Sequence, residues 1–352
     1  MRARRRALTA LTLAGSLPLT ACTGFPLSGE ATSTVETTDS QFQGDRPAGP
    51  PLPAGALLEQ PGEVAAAQNV DQDAVGSLRP DDRTPEERVP RIVERGRLIV
   101  GVDQSQNLLS SRDVITGRLI GFEVDLAREI ARDIFGDPEA VDFRFVDSVD
   151  RARPLDAREV DIIIRTLTIT EERQQVVEFS APYLSADTRM LVANPNIQGY
   201  GDLSGRVVCV ADDTAALDKA RVAAPYSILL KTRRWSDCLY ALQERQVDAI
   251  ISDTTILSGI AEQDPYTTIT GESLGSENYG VGIRKSTPGE DSSGLVRQVN
   301  STLERIRSDG TWWRMYEQWF SANLTTAGPP ELHYREEEPA DADAADDAPA
   351  EG

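Results

Sequence analysis

Ile162-Ile163-Ile164-Arg165-Thr166-Leu167-Thr168-Ile169-Thr170-Glu171-Glu172-Arg173 reads as a short apolar strand that breaks into hydroxyls and then opens a helix. Hydroxyls and backbone N–H groups gathered where a strand gives way to a helix form a concavity that receives anions, with Thr170 a candidate N-cap. Arg173 adds a planar fork that matches a carboxylate. The same spacing also opens ordinary helices, and an arginine there also makes plain surface ion pairs. The surroundings therefore have to decide.

Upstream, Leu98-Ile99-Val100-Gly101-Val102 is an apolar run bounded by polar residues and predicts a buried strand. Phe122 to Phe135 repeats apolar residues at helical spacing, with acids and arginines mostly on the other faces. Further strands are predicted at 141–146, 160–164 and 190–193, and a helix around 149–158. A second unit begins near Gly201, with strands at 206–210 and 248–252 and helices near 214–222, 236–245 and 254–263. Tyr279 to Ile283 then reads as a strand, and Gly294–Arg307 and Thr311–Phe320 as amphipathic helices. Strand and helix alternate, which predicts an α/β fold with largely parallel sheets covered on both faces. Trp312, Trp313 and Trp319 crowd the last helix, and three such side chains in eight residues are expected to dock it by packing.

The flanks differ from this body. Residues 1–22 run from a basic head (Arg2, Arg4, Arg5, Arg6) through a short apolar stretch to Leu19-Thr20-Ala21-Cys22. The stretch is shorter than the ~20 residues that span hydrocarbon, so it predicts an export signal. Its end resembles a bacterial lipobox, in which Cys22 is lipidated and anchors the chain to the outer face of the cell membrane. Residues 23–88 hold 12 acids and 4 bases, and residues 329–352 hold nine acids and one arginine. Without hydrophobic periodicity they read as a disordered linker and a disordered acidic tail. Lobe 1 is then expected at 89–193 with 282–328, and lobe 2 at 194–281. Cys209 and Cys238 lie 29 residues apart in an exported chain and are expected to pair, two free thiols being the alternative.

Composition excludes several functions. The net charge is −21 over 352 residues, which repels nucleic acid and anionic membranes. One histidine and three cysteines leave no metal centre built on those residues, and no His-based triad beyond a stranded His333. No cofactor is expected.

Four blocks, taken in order, resemble the family 3 extracellular solute-binding proteins. They are Gly96–Val102; Thr116-Gly117 with Gly121–Ala127; Thr168–Arg173 with Phe179-Ser180-Ala181-Pro182-Tyr183; and Val247–Asp253. The resemblance runs from about Arg91 to Phe320 and is nearest to lipoproteins that bind glutamine, glutamate or aspartate. It implies a type II periplasmic-binding-protein fold: two lobes joined by two crossing hinge strands, here near 189–196 and 275–283, closing on an amino acid as a monomer. It implies delivery to a membrane permease or transmembrane sensor, and no enzymatic activity; the alternatives are a dehydratase-like enzyme on the same scaffold, against which the lack of a catalytic histidine speaks, and a ligand-free interaction module. It further implies that Arg173 grips the α-carboxylate, that Thr168 adds polar contacts, and that Asp253 meets the α-ammonium, although Asp253 also suits a helix N-cap. Arg151, in Ser148-Val149-Asp150-Arg151, matches the arginine that meets a distal carboxylate, which favours an acidic ligand. Thr214 is the second-lobe contact, and Thr166, Thr170 and Asp103 complete the ligand set. Asp212 and Asp213 beside Thr214 either repel such a ligand or face solvent.

Overall fold

The computed structural model describes residues 49–65, 74–149 and 151–337. The expected signal, its Cys22 anchor and the acidic end of the tail lie outside the described residues.

In chain order, β1 (Leu57–Glu59), α1 (Pro85–Arg88) and α2 (Pro90–Arg95) come first. The first lobe opens with β2 (Leu98–Val102), the small strands β3 (Ser105–Gln106), β4 (Ser110–Arg112) and β5 (Leu119–Ile120), then α3 (Phe122–Phe135) and β6 (Val141–Phe145). It continues through α4 (Ala152–Asp156), β7 (Ile162–Ile163), α5 (Glu171–Gln174) and β8 (Val177–Phe179). β9 (Leu184–Val192) carries the chain into the second lobe: β10 (Val207–Ala211), α6 (Ala215–Ala223), β11 (Ile228–Thr232), α7 (Trp235–Gln243), β12 (Ala249–Asp253), α8 (Thr254–Gln263) and β13 (Thr268–Thr270). β14 (Ser276–Tyr279) brings it back, and β15 (Gly282–Arg284), α9 (Ser293–Ser308) and α10 (Thr311–Phe320) complete the first lobe.

Each lobe is a sheet with helices against it. The first has strand order β6-β2-β7-β15-β8, with β6, β2 and β7 parallel. The second has order β1-β11-β10-β12-β9-β13, with a parallel centre of β11, β10 and β12. The residues of β10 and β12 are all buried, which is why β10 reads as an unbroken apolar run and β12 as one that breaks only at Ser252 and Asp253. α3 lands on the hairpin strands at Gly121, whose φ is +132° and whose added Cβ would lie 2.1 Å from the Leu109 oxygen. Only glycine permits that approach. At the far side, Trp312, Phe122, Tyr316 and Phe320 pack ring against ring, and the Trp312 Nε1–H donates to the Tyr183 carbonyl at 2.8 Å. The terminal helix is thus docked by its aromatic residues.

Three expectations are corrected. The first crossing strand lies earlier than 189–196: Leu184–Asp187 of β9 pairs with Ser276–Tyr279 of β14, and from Thr188 onward β9 already belongs to the second sheet. Tyr279 to Ile283 is two strands, because Gly280 and Val281 leave one sheet before β15 enters the other. Finally, much of the supposed linker and the start of the tail are built into the fold. β1 pairs with β11, and Glu59 is buried against Arg221 through two 2.8 Å bonds. Ser77 donates to the Phe179 carbonyl at 2.7 Å and bridges to Tyr334, while Tyr334 donates to Glu304 at 2.8 Å. A three-residue edge strand held by backbone bonds and one buried acid leaves no hydrophobic period for composition to detect. Cys209 and Cys238 form the expected disulfide, which ties β10 to α7.

Candidate functional site

β7 of the first lobe and β10 and β12 of the second point their carboxyl ends at the space between the lobes, where α/β sheets place ligands. The lobes are closed on each other. Asp147 takes ion pairs from Arg233 at 2.7 Å and Arg234 at 3.2 Å across the cleft, and Asn107 donates to Glu262 at 3.0 Å.

The first-lobe wall carries three arginines. Arg173 has its backbone N–H on the Thr170 hydroxyl at 3.2 Å, so Thr170 caps α5 and orients the side chain without lining the cleft. The Arg173 guanidinium donates to the Thr168 carbonyl and, across the cleft, to the Asp213 carbonyl, both at 3.1 Å. Arg151 is buried, donates through Nε to the Ser148 carbonyl at 2.8 Å, and also reaches the Asp213 carbonyl. Among the described residues, its nearest carboxylate is that of Asp213, at 4.0 Å. Burial and the charges of Arg173 and Arg165 pull its pKa well below the ordinary arginine value. Arginine keeps its proton in proteins, so this pull amounts to a demand for an anion. Arg165 is 1% exposed, donates to the Ser148 hydroxyl at 2.8 Å and pairs with Asp103. Asp103 is fully buried behind it and does not reach the cavity wall.

Thr166 and Thr168 line the same wall. The Thr166 N–H donates to the Glu123 carboxylate at 2.6 Å, and Thr166 holds φ +40°. Glu123 also accepts from the Tyr183 hydroxyl at 2.6 Å, and burial pushes its pKa up. On the second-lobe wall, Thr214 donates to the Ala211 carbonyl at 2.7 Å at the start of α6, and Trp235 packs beside it with 4% exposure. Asp253 accepts from Thr188 at 2.9 Å and from the Tyr279 hydroxyl at 2.5 Å, one residue from each crossing strand. It occupies the N-cap position of α8, yet its side chain caps nothing. Burial and the nearby charge of Glu277 raise its pKa to about 6, against the opposing effects of the Tyr279 and Thr188 bonds and the Lys219 charge. Closure leaves about 10 Å³ between the walls, close to the room of one water.

The cleft thus gathers Arg173, Arg151, Thr166, Thr168, Thr214 and Asp253 around one point, while Asp103 and Thr170 stand behind it as supports. Glu123 and Trp235 were not anticipated. Glu123 carries a signal in hindsight, an acid wedged between Phe122 and Val124 on the buried face of α3. A wider concavity of about 790 Å³ between the hairpin strands, α3 and α10 gathers Arg118, Arg128, Arg132 and Arg314; the first three are paired with acids and Arg314 is held by the Asp309 carbonyl and the Thr311 hydroxyl.

Residues 98–322 match the model of the bacterial extracellular solute-binding proteins, family 3. The chain belongs to this family. The ABC transporter glutamine-binding protein GlnH of Bacillus subtilis is 30% identical over 232 residues, 65% of this chain and 82% of that protein. The glutamine-binding protein of Geobacillus stearothermophilus is 36% identical over 199 residues, 56% of this chain and 76% of that protein. Among solved structures, an ancestral arginine-binding protein bound to arginine has 31% identity and a TM-score of 0.58, covering 64% of this chain and 99% of that one. As a family 3 member the chain is an exported binding protein and not an enzyme, and its two lobes and crossing strands are the type II arrangement.

Proposed function

We propose that this family 3 protein captures an acidic amino acid, aspartate or glutamate, or its amide, between the lobes and presents it to a membrane permease, from a lipid anchor at Cys22. One observation carries the reading. Two cleft arginines, Arg151 and Arg173, have no close carboxylate partner among the described residues and instead share the Asp213 carbonyl, while a buried carboxylate, Asp253, faces them. A zwitterion taken out of water needs an opposite charge at each pole, because an unpaired buried charge costs several kcal/mol. Arg173 takes the α-carboxylate, Asp253 the α-ammonium, and Arg151 the side-chain acid or amide. As the lobes part, the Asp213 carbonyl withdraws and ligand oxygens replace it between the guanidinium groups. The glutamine named in the two relatives supports the amide, and the second guanidinium, Arg151, held mainly by backbone carbonyls, favours the acid.

The test is a thermal-shift screen of the twenty amino acids on the mature chain, followed by titration calorimetry. Ligand at 100 times its dissociation constant adds about 2.7 kcal/mol to stability. Aspartate or glutamate is expected to give the largest shift, with Arg173→Ala weakening the winner by about 2–5 kcal/mol. A screen in which no amino acid stabilises the chain, or an Arg173→Ala variant that binds normally, overturns the proposal.

A further inference from the structure

β2 and β7 are parallel neighbours in which Gly101 stands beside Ile163, so Asp103 and Arg165, each two residues further on, leave the sheet at the same edge. Both are buried, at 0% and 1% exposure, and they form an ion pair. The other Asp103 oxygen accepts from the Gln104 and Ser105 amides at 2.7 and 2.6 Å and from the Ser105 hydroxyl at 2.8 Å. The carboxylate is therefore saturated. Arg165 alone of the pair lines the cavity, steadied by the Ser148 hydroxyl, and its Nε is buried without a hydrogen-bond partner among the described residues.

We propose that Arg165 sets the sign of side-chain charge the cleft accepts: by covering Asp103 it removes a carboxylate that would hold a cationic side chain, and it offers a donor to an acidic one. This rests on the reading of the cleft as an amino-acid site. With Arg165 in place, the wall presents neutralised Asp103 behind two guanidinium groups, and an arginine or lysine side chain reaching it meets the like charges of Arg165 and Arg151. An acidic side chain instead finds Arg151 ahead of it and the unpartnered Arg165 N–H beside it. Asp103 acts as a positioning residue, holding the guanidinium in place.

The experiment compares wild type, Arg165→Ala and the double variant Arg165→Ala/Asp103→Ala by titration calorimetry with aspartate, glutamate, glutamine, arginine and lysine, after circular dichroism shows each folded. Wild type should prefer acids to bases by at least about 100-fold. Arg165→Ala should lose about tenfold or more for the acid and gain as much for arginine or lysine, because it uncovers a buried carboxylate. The double variant should lose the acid without gaining the base, and it carries no unpaired charge that would unfold it. Equal losses across the panel in Arg165→Ala overturn the proposal, since they mark a merely structural role. A gain for bases that survives in the double variant also overturns it, and so does an acid affinity there equal to that of wild type. Should wild type bind no amino acid, the function proposed above fails with it; should wild type bind and the ranking not move, only this inference fails.

Discussion

Asp253 shows how a single residue couples the cleft to the hinge. Its carboxylate is held by Thr188 of β9 and Tyr279 of β14, and it is faced by Glu277 on β14 and Lys219 on α6, themselves a buried pair at 2.6 Å. With a folded pKa near 6 against an ordinary 3.8, the carboxyl favours its neutral form. Its contribution to folding stability is therefore full below 3.8 and lost as pH rises through 6. A ligand ammonium reverses that preference, so binding should release a proton around pH 6, and affinity should weaken as pH falls below it. Calorimetry between pH 5 and 8 in buffers of differing ionisation enthalpy measures this, and Asp253→Asn should flatten the slope. A wild-type profile already flat would detach Asp253 from the ammonium. The residues legible in the sequence were those at borders between apolar runs and polar turns, namely Arg173, Thr168 and Asp253. The supporting role of Asp103 was not, because its partner Arg165 lies 62 residues away and only the β2–β7 pairing brings them together.

At the scale of elements, α7 is fixed by its disulfide to β10, and its first turn carries Trp235 into the cleft just after Arg233 and Arg234 reach Asp147. Replacing both cysteines by serine is expected to lower stability by about 3.6 kcal/mol, the chain-entropy value for such a loop. It should also weaken ligand binding, since the cross-lobe arginines and Trp235 lose their anchor. Denaturant titration and calorimetry on the same variant separate the two effects, and unchanged affinity would leave the bridge a staple only. Long periodic elements such as α3, α9 and α10 were plain in the sequence, as were the buried runs of β2, β10 and β12. β11 was not, because Ile228-Leu229-Leu230 ends in a buried-sheet lysine that pairs with Glu59, a residue of the N-terminal segment. Its partner strand β1 stood in a stretch whose composition signals disorder, so neither half of the pair was visible without the other.

Over the whole molecule, the N-terminal segment touches both lobes. Residues 57–59 complete the second sheet, whereas Ser77 and the helices α1 and α2 pack on the first lobe. Seventeen residues separate Glu59 from Ser77, enough to span up to about 60 Å when extended, so the connection sets no limit on how far the lobes part. Its contribution is local: it covers the β11 edge, which would otherwise offer unpaired backbone groups to another chain, and it neutralises Arg221 and Lys231. Glu59, whose carboxyl the bonds to Arg221 hold below its ordinary range against burial, supplies stability that is present above pH 4.5 and fades as pH falls through the lowered value. Glu59→Ala should therefore destabilise the fold by about 1–3 kcal/mol, below the full penalty for breaking a buried pair because Arg221 keeps its bond to Asp218. Ligand affinity should stay within about twofold, since a difference below ~0.4 kcal/mol is all that a site outside the cleft transmits when the closed lobes are unchanged. Urea midpoints and calorimetry on one preparation decide it. A variant with normal stability but altered affinity would make the segment part of the closing device, so that capture of ligand would depend on residues far outside the cleft.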